Sequence, residues 1–124
     1  MQLDPPTWCY EPLTPLSFLE RTAHVHRDRI AVVDGDVRRT YAGLADRSKR
    51  LAGALNARGF GPGSNVAVLA PNVELLLEAH FGVPWSGASL VALNTRLTPE
   101  ELRFIVEHAA CRLLIADHRL LAGC

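Results

Sequence analysis

Apolar and polar positions along this chain repeat first at helical spacing, then in short alternating runs, then in solid apolar blocks. Leu16, Leu19 and Ala23, with Val25 as a further candidate, line one side of a helix predicted over Pro15–His26. Thr14-Pro15 suits its start, because the hydroxyl can accept from an orphan amide and proline already has helical φ. Ile30–Val33 and Val37–Tyr41 are β-type runs around Asp34-Gly35-Asp36. Asp-Gly between such runs predicts a tight hairpin, since glycine accepts positive φ at little cost. A longer helix is expected from about Tyr41 to Arg58, where Leu44, Ser48, Leu51 and Leu55 recur beside Ala45 and Ala52. Asp46, Arg47, Lys49 and Arg50 fall mostly on its solvated side, and Gly59 is placed to end it in the left-handed conformation.

From Gly63 onward the rhythm changes. Val66–Ala70 is a continuous apolar run, as expected of a strand covered on both faces. Asn72 can cap a helix beginning at Val73, whose Leu75, Leu76, Leu77, Ala79 and Phe81 are apolar almost all round and predict burial on several sides. Ser89–Leu93 reads as a second strand. Thr98-Pro99-Glu100-Glu101 has the residues of a capping box, and Leu102, Ile105, Val106 and Ala109 form the inner face of the helix it opens. Leu113–Ala116 is a third strand. The expected fold class is therefore α/β: a partial doubly wound parallel sheet, β-α-β-α-β over 63–118, preceded by a helix, β-hairpin and helix over 15–59. Residues 1–14, rich in proline and polar groups, read as an extended leader, and 15–124 as one partial domain. A doubly wound sheet usually continues with further strands, so an ending just after a strand predicts an incomplete one.

Charge and cysteines narrow the function classes. Thirteen Lys and Arg balance thirteen Asp and Glu. Nucleic-acid binding draws on a basic excess, which this chain lacks. No stretch approaches the roughly 18 apolar residues of a membrane span, and the start has no basic flank before an apolar run. Cytoplasm is the expected address. Cys9, Cys111 and Cys124 are odd in number and widely spaced, and read as reduced thiols.

The candidate chemical motifs mostly resolve into structure. Gly59, Gly61 and Gly63 leave a helix and enter a strand, the reverse of a phosphate loop, and read as a connector. His24 and His26 point to different sides of their helix, and His80, His108 and His118 fall on separate elements without ligand-spaced partners. Glu100 and Glu101 belong to a helix start, and Glu74 and Glu78, one turn apart, read as the polar side of a packed helix. One geometric hint remains in the loops at the carboxyl ends of the strands, Pro71-Asn72, Asn94-Thr95-Arg96 and Asp117-His118, where ligands of such sheets tend to bind. Caps and an ordinary loop cation are the favoured explanation of those residues.

Longer phrases carry more. The segment PLTPLSFLERTAHVHRDRIAVVDGDVRRTYAGLADRSKRLAGALNARGFGPG resembles the start of AMP-forming acyl-CoA synthetases, and NVAVLAPNVELLLEAHFGVPWSGASLVALNTRLTPEELRFIVEHAACRLLIAD is similar to the next stretch of those enzymes. The Ala70–Asn72 turn, His80–Pro84 and Leu93–Leu97 look most like the branch acting on short- and medium-chain carboxylic acids. The resemblance covers residues 12 to about 121. It implies a two-step ligase: ATP and a carboxylate form an acyl-adenylate and pyrophosphate, and coenzyme A then displaces AMP. ATP, Mg²⁺ and CoA are thus implied for the family, with metal and cationic side chains offsetting phosphate charge. The family's Ser/Thr/Gly-rich phosphate loop, its tyrosine motif with the magnesium-binding glutamate, its ribose-binding aspartate and its carboxy-terminal lid lysine have no counterpart in these 124 residues. Nothing here is therefore expected to be catalytic, cofactor-binding or metal-ligating.

Two expectations result. The chain is an amino-terminal piece of an acyl-CoA synthetase, inactive alone and marginally stable or self-associating. Alternatively it is a non-catalytic interaction module whose companion chain supplies the catalytic part, with the Val73–Trp85 helix and an open sheet edge as contact surfaces. An independent nucleotide-binding enzyme would need the glycine loop that is missing.

Overall fold

The computed structural model describes residues 13–121. The leader expected over 1–14 lies almost wholly outside that range, as do Cys9 and Cys124. Helix α1 (Pro15–Val25) is followed by strands β1 (Ile30–Asp34) and β2 (Val37–Thr40), and by helix α2 (Tyr41–Ala57). Then come β3 (Asn65–Leu69), α3 (Glu74–Trp85), β4 (Ser89–Leu93), α4 (Pro99–His108), β5 (Leu113–Ala116) and the single turn α5 (His118–Leu121). The pattern of apolar positions did not indicate α5.

Local chemistry explains most boundaries. Thr14 caps α1 by accepting from the Ser17 amide, and Thr98 caps α4 in a full capping box with Glu101. Thr40 closes β2 and caps α2 through the Gly43 amide at 3.1 Å. At the other end of α2, Gly59 has φ +81°; its N–H donates to the Asn56 carbonyl and that of Phe60 to the Leu55 carbonyl, both at 3.0 Å. That is a Schellman ending, and Phe60 and Leu55 belong to the same apolar cluster. The hairpin differs in detail from expectation. Its turn residues are Gly35 and Asp36, with Asp34 still in the strand, and only Gly35 has positive φ. Glycine alone at the first central position follows the sign pattern of a type II′ turn.

The three-stranded sheet has the order β4-β3-β5, all parallel. β3 is central, and Val66, Ala67 and Val68 are completely buried. Because side chains alternate, Val66, Val68 and Ala70 join Leu55, Ala79 and Val83 on the α2–α3 side, whereas Ala67 and Leu69 pack with Leu102, Ile105 and Val106 below α4. Both faces are covered, as the solid apolar run predicts. Right-handed crossovers account for the arrangement: β3 to β4 moves one way along the sheet, β4 to β5 moves back past β3, and the two helices fall on opposite faces. A third cluster, of Leu19, Val32, Leu44 and Ala45, fastens α1 and the hairpin to α2. Val25 takes no part in it and is exposed, so the apolar side of α1 ends at Ala23.

Candidate functional site

In doubly wound sheets, ligands gather beyond the carboxyl ends of the strands, where adjacent connections diverge. By the strand order that crevice position falls between β3 and β5, at Pro71–Val73 and Asp117–Arg119. The amide of Asp117 donates to the Leu69 carbonyl at 2.9 Å, so the two strand ends are tied together.

The start of α3 corrects one expectation. Asn72 does not cap this helix. Val73 occupies the N-cap position without a side-chain bond, and Asn72 is exposed. The orphan amide of Glu74 instead donates to Asp34 Oδ2 at 2.9 Å, from the far end of β1. Asn72 precedes the helix by one residue too many, while the hairpin delivers a carboxylate to the positive end of the helix. Glu74 and Glu78 lie on the polar side of α3 but are far less solvated than that description suggests. Arg39 Nε reaches Glu74 Oε1 at 2.5 Å, and Arg47 Nε lies 2.8 Å from Glu78 Oε2 and 3.6 Å from Glu74 Oε1. The hydrogen bond and charge of Glu74 hold the Arg39 guanidinium above its ordinary pKa. Glu78 is buried. Four side chains from β2, α2 and α3 thus form one charge network beside the crevice.

At the end of β5, Asp117 is buried and accepts from Arg119 three times: from Nη2 at 2.6 Å, from Nε at 3.0 Å and from the backbone N–H at 2.9 Å. The side-chain bonds foremost, then the backbone bond, hold the Asp117 carboxyl well below the usual carboxylate range. The same contacts raise the pKa of Arg119, with a smaller contribution from Asp34 across the crevice.

Between β1 and α3 lies a groove of about 410 Å³, walled by Val32, Val33, Leu76 and Leu77 and edged by Asp34, Glu74 and His80. His80 is exposed, and its Nδ1 lies 2.7 Å from the Leu76 carbonyl one turn back. The remaining sequence candidates do not converge. His24 and His26 sit at the exposed end of α1, His108 stacks on Phe104 with ring centroids 5.7 Å apart, and His118 is exposed beside Asp117. Asn94, Thr95 and Arg96 form an exposed turn in which Asn94 Oδ1 accepts from the Arg96 amide. Gly59 to Gly63 connect α2 to β3. Burial pushes the Cys111 thiol up, which makes it a weak nucleophile.

A magnesium ion needs several free oxygen donors facing one point. Among the described residues no three His, Cys, Asp or Glu side chains gather in that way. The carboxylates at the crevice are already committed, Asp34 to an amide, Glu74 and Glu78 to arginines and Asp117 to Arg119. These residues do not fit the ion. What they can do is hold the carboxyl ends of the strands in a fixed relation to the hairpin.

The AMP-binding enzyme family matches residues 19–123 of the chain. The chain belongs to this family. Among curated relatives, the peroxisomal acetate/butyrate–CoA ligase AAE7 of Arabidopsis thaliana is 44% identical over 108 residues, covering 87% of this chain and 19% of that enzyme. The 4-hydroxybutyrate–CoA ligase 2 of Metallosphaera sedula is 38% identical, covering 96% of this chain and 22% of that enzyme. Solved structures agree. The amino-terminal domain of FACL13 from Mycobacterium tuberculosis superposes with a TM-score of 0.78 at 30% identity, over 86% of this chain and 28% of that one. The O-succinylbenzoate coenzyme A synthetase of Bacillus subtilis, solved in complex with ATP and magnesium, gives 0.76 at 30% identity, over 82% and 28%. This AMP-binding family member therefore corresponds to an amino-terminal part of acyl-CoA ligases and spans about a fifth of the length of its curated relatives. No helix among the described residues is long and apolar enough to cross a membrane.

Proposed function

We propose that these residues are the amino-terminal scaffold of an ATP-dependent, AMP-forming acyl-CoA synthetase, and that they carry no adenylation centre themselves. In the reaction, a carboxylate oxygen attacks the α-phosphorus of ATP and pyrophosphate leaves; the CoA thiol then attacks the acyl carbon and AMP leaves. AMP departs far more readily than hydroxide, which is why the acid is activated first. The substrate is a short- or medium-chain carboxylic acid, a reading supported by the acetate, butyrate and 4-hydroxybutyrate ligases among the relatives. A cytoplasmic address is part of this proposal, although the Arabidopsis relative is peroxisomal; cell fractionation checks it.

One observation carries the division of labour. Every buried or half-buried carboxylate at the crevice already holds an arginine or a backbone amide, which supports a structural role in joining β1, β2, α2, α3 and β5. The test is ATP–pyrophosphate exchange by the 124-residue chain with a panel of carboxylic acids. Exchange at the level of a protein-free control is expected, and exchange well above it would overturn the scaffold reading. A companion polypeptide carrying the catalytic groups is part of the same proposal, whether it continues the same chain or is supplied separately.

A further inference from the structure

Helix α1 carries apolar groups on its outer side as well as its inner one. Leu19 lies in the core, whereas Phe18 is 59% exposed, Val25 61%, and Leu13 just before the helix 84%. Two open grooves run along this outer side. One, of about 460 Å³, is lined by Leu13, Ser17, Phe18, Glu20, Arg21 and His24. The other, of about 270 Å³, continues from Phe18 and Arg21 to Thr22, Val25 and His26. The Glu20 carboxylate is engaged by Lys49 Nζ at 2.8 Å. Arg21 has no ion-pair partner among the described residues, so the uncompensated charge of this strip is positive. An open apolar strip rimmed by one sign of charge marks a contact surface.

The chain itself holds a segment of the matching chemistry. Residues 1–12, MQLDPPTWCYEP, bring Trp8 and Tyr10, and their only charged side chains are the acidic Asp4 and Glu11. Leu13 lines the first groove, so this segment joins the strip at its end. The 11 residues of α1 rise about 16 Å. At about 3.4 Å per residue, Tyr10 can reach about 10 Å back from Leu13 and Trp8 about 17 Å, enough to span Phe18 to Val25. Pro5, Pro6 and Pro12 restrict the segment beforehand, which lowers the entropy lost on docking. We propose that residues 1–12 fold back along the outer side of α1 as a strap. Tyr10 packs on Phe18, and Trp8 lodges between Val25 and the Arg21 guanidinium, where the cation meets the ring face. The strap stands independently of the scaffold reading, because both its halves belong to this chain.

The test uses the full 124-residue chain, whose Cys9 is a native thiol on the proposed strap. Cys111→Ser and Cys124→Ser remove the other thiols, and Thr22→Cys places a partner on the outer side of α1. A disulfide needs its two Cβ atoms within about 4.5 Å of each other. With oxidised glutathione at high dilution, the disulfide from Cys9 to position 22 is expected to form within single chains. Adding Trp8→Ser and Tyr10→Ser keeps the tether length and removes the anchors, and is expected to slow that disulfide about tenfold. An unchanged rate overturns the strap, because the tether alone would then explain the link. A disulfide formed only between chains also overturns it and assigns the strip to a second copy. A second measurement needs no added thiol. Trp8→Ala is expected to lower the urea midpoint of the otherwise unaltered chain, and to lower it less in a chain already carrying Val25→Ala. A midpoint indifferent to Trp8→Ala, or lowered equally in both chains, overturns the placement of Trp8 on Val25.

Discussion

Ala110 occupies an unusual position, with φ 48° as the one non-glycine residue of positive φ among the described residues. It is the residue after the C-cap of α4. Its N–H donates to the Glu107 carbonyl at 3.0 Å, and that of Cys111 to the Val106 carbonyl at 2.9 Å, the two bonds of a Schellman ending. The left-handed conformation costs alanine roughly 1–2 kcal/mol, and glycine avoids that cost while losing more freedom on folding. Ala110→Gly is therefore expected to stabilise the chain by about 0.5–1 kcal/mol, read as a higher urea midpoint at unchanged slope. Gly59 makes the equivalent ending at α2 and was legible from sequence, because glycine is the usual residue there. Ala110 gave no such sign. Ser48 is a further residue-scale surprise: it lies on the apolar stripe of α2, and its buried hydroxyl has no partner among the described residues.

Helix starts divide into those the chain caps locally and one that it does not. Thr14, Thr40 and Thr98 each lie three residues before the amide they cap, so their role can be read from spacing. Asp34 lies forty positions from Glu74 and meets it only after the hairpin folds back onto α3. Two outcomes separate this arrangement from the local cap that the sequence suggested. Asp34→Ala is expected to cost about 1 kcal/mol of unfolding free energy, the usual worth of an N-cap. Asn72→Ala should change it by less than about 0.5 kcal/mol, as at an exposed site without a special role. Urea titrations of the two variants check this, and the reverse order would restore Asn72 as the cap. The Arg39–Glu74–Arg47–Glu78 network belongs to the same scale. Helical periodicity placed both glutamates on one side of α3, and their partners became visible only once β2 and α2 were packed beside it.

For the whole molecule, the exposed apolar groups are too many and too clustered to be incidental. Phe18, Val33 and Leu77 share one face, and Ile30 and Leu114 stand open on strands. Among the described residues β4 and β5 are each paired on one side only, which leaves two free edges in a three-stranded sheet. The isolated chain is expected to self-associate or to be only marginally stable. Sedimentation and thermal melts over a wide concentration range check this, with a larger mean mass and a shifting midpoint expected as concentration rises. A sharp, reversible and concentration-independent melt of a monomer would contradict it.

The amino-acid order by itself determined the succession of elements from α1 to β5, because apolar periodicity and short-range caps act within a few residues of one another. It determined the family too, through phrases running over nearly the whole chain. The capped starts of α1 and α4 and the glycine ending of α2 needed nothing from distant residues, and the solid apolar run of β3 announced its two-sided burial in advance. Tertiary structure decided what depends on distant residues meeting: the strand order β4-β3-β5, the Asp34 cap on α3 and the burial of Glu78 beside Arg47. It also decided the incomplete covering of Leu77. Local spacing carries no information about which neighbour a side chain will find across forty positions, and that choice rests with the packing of the whole.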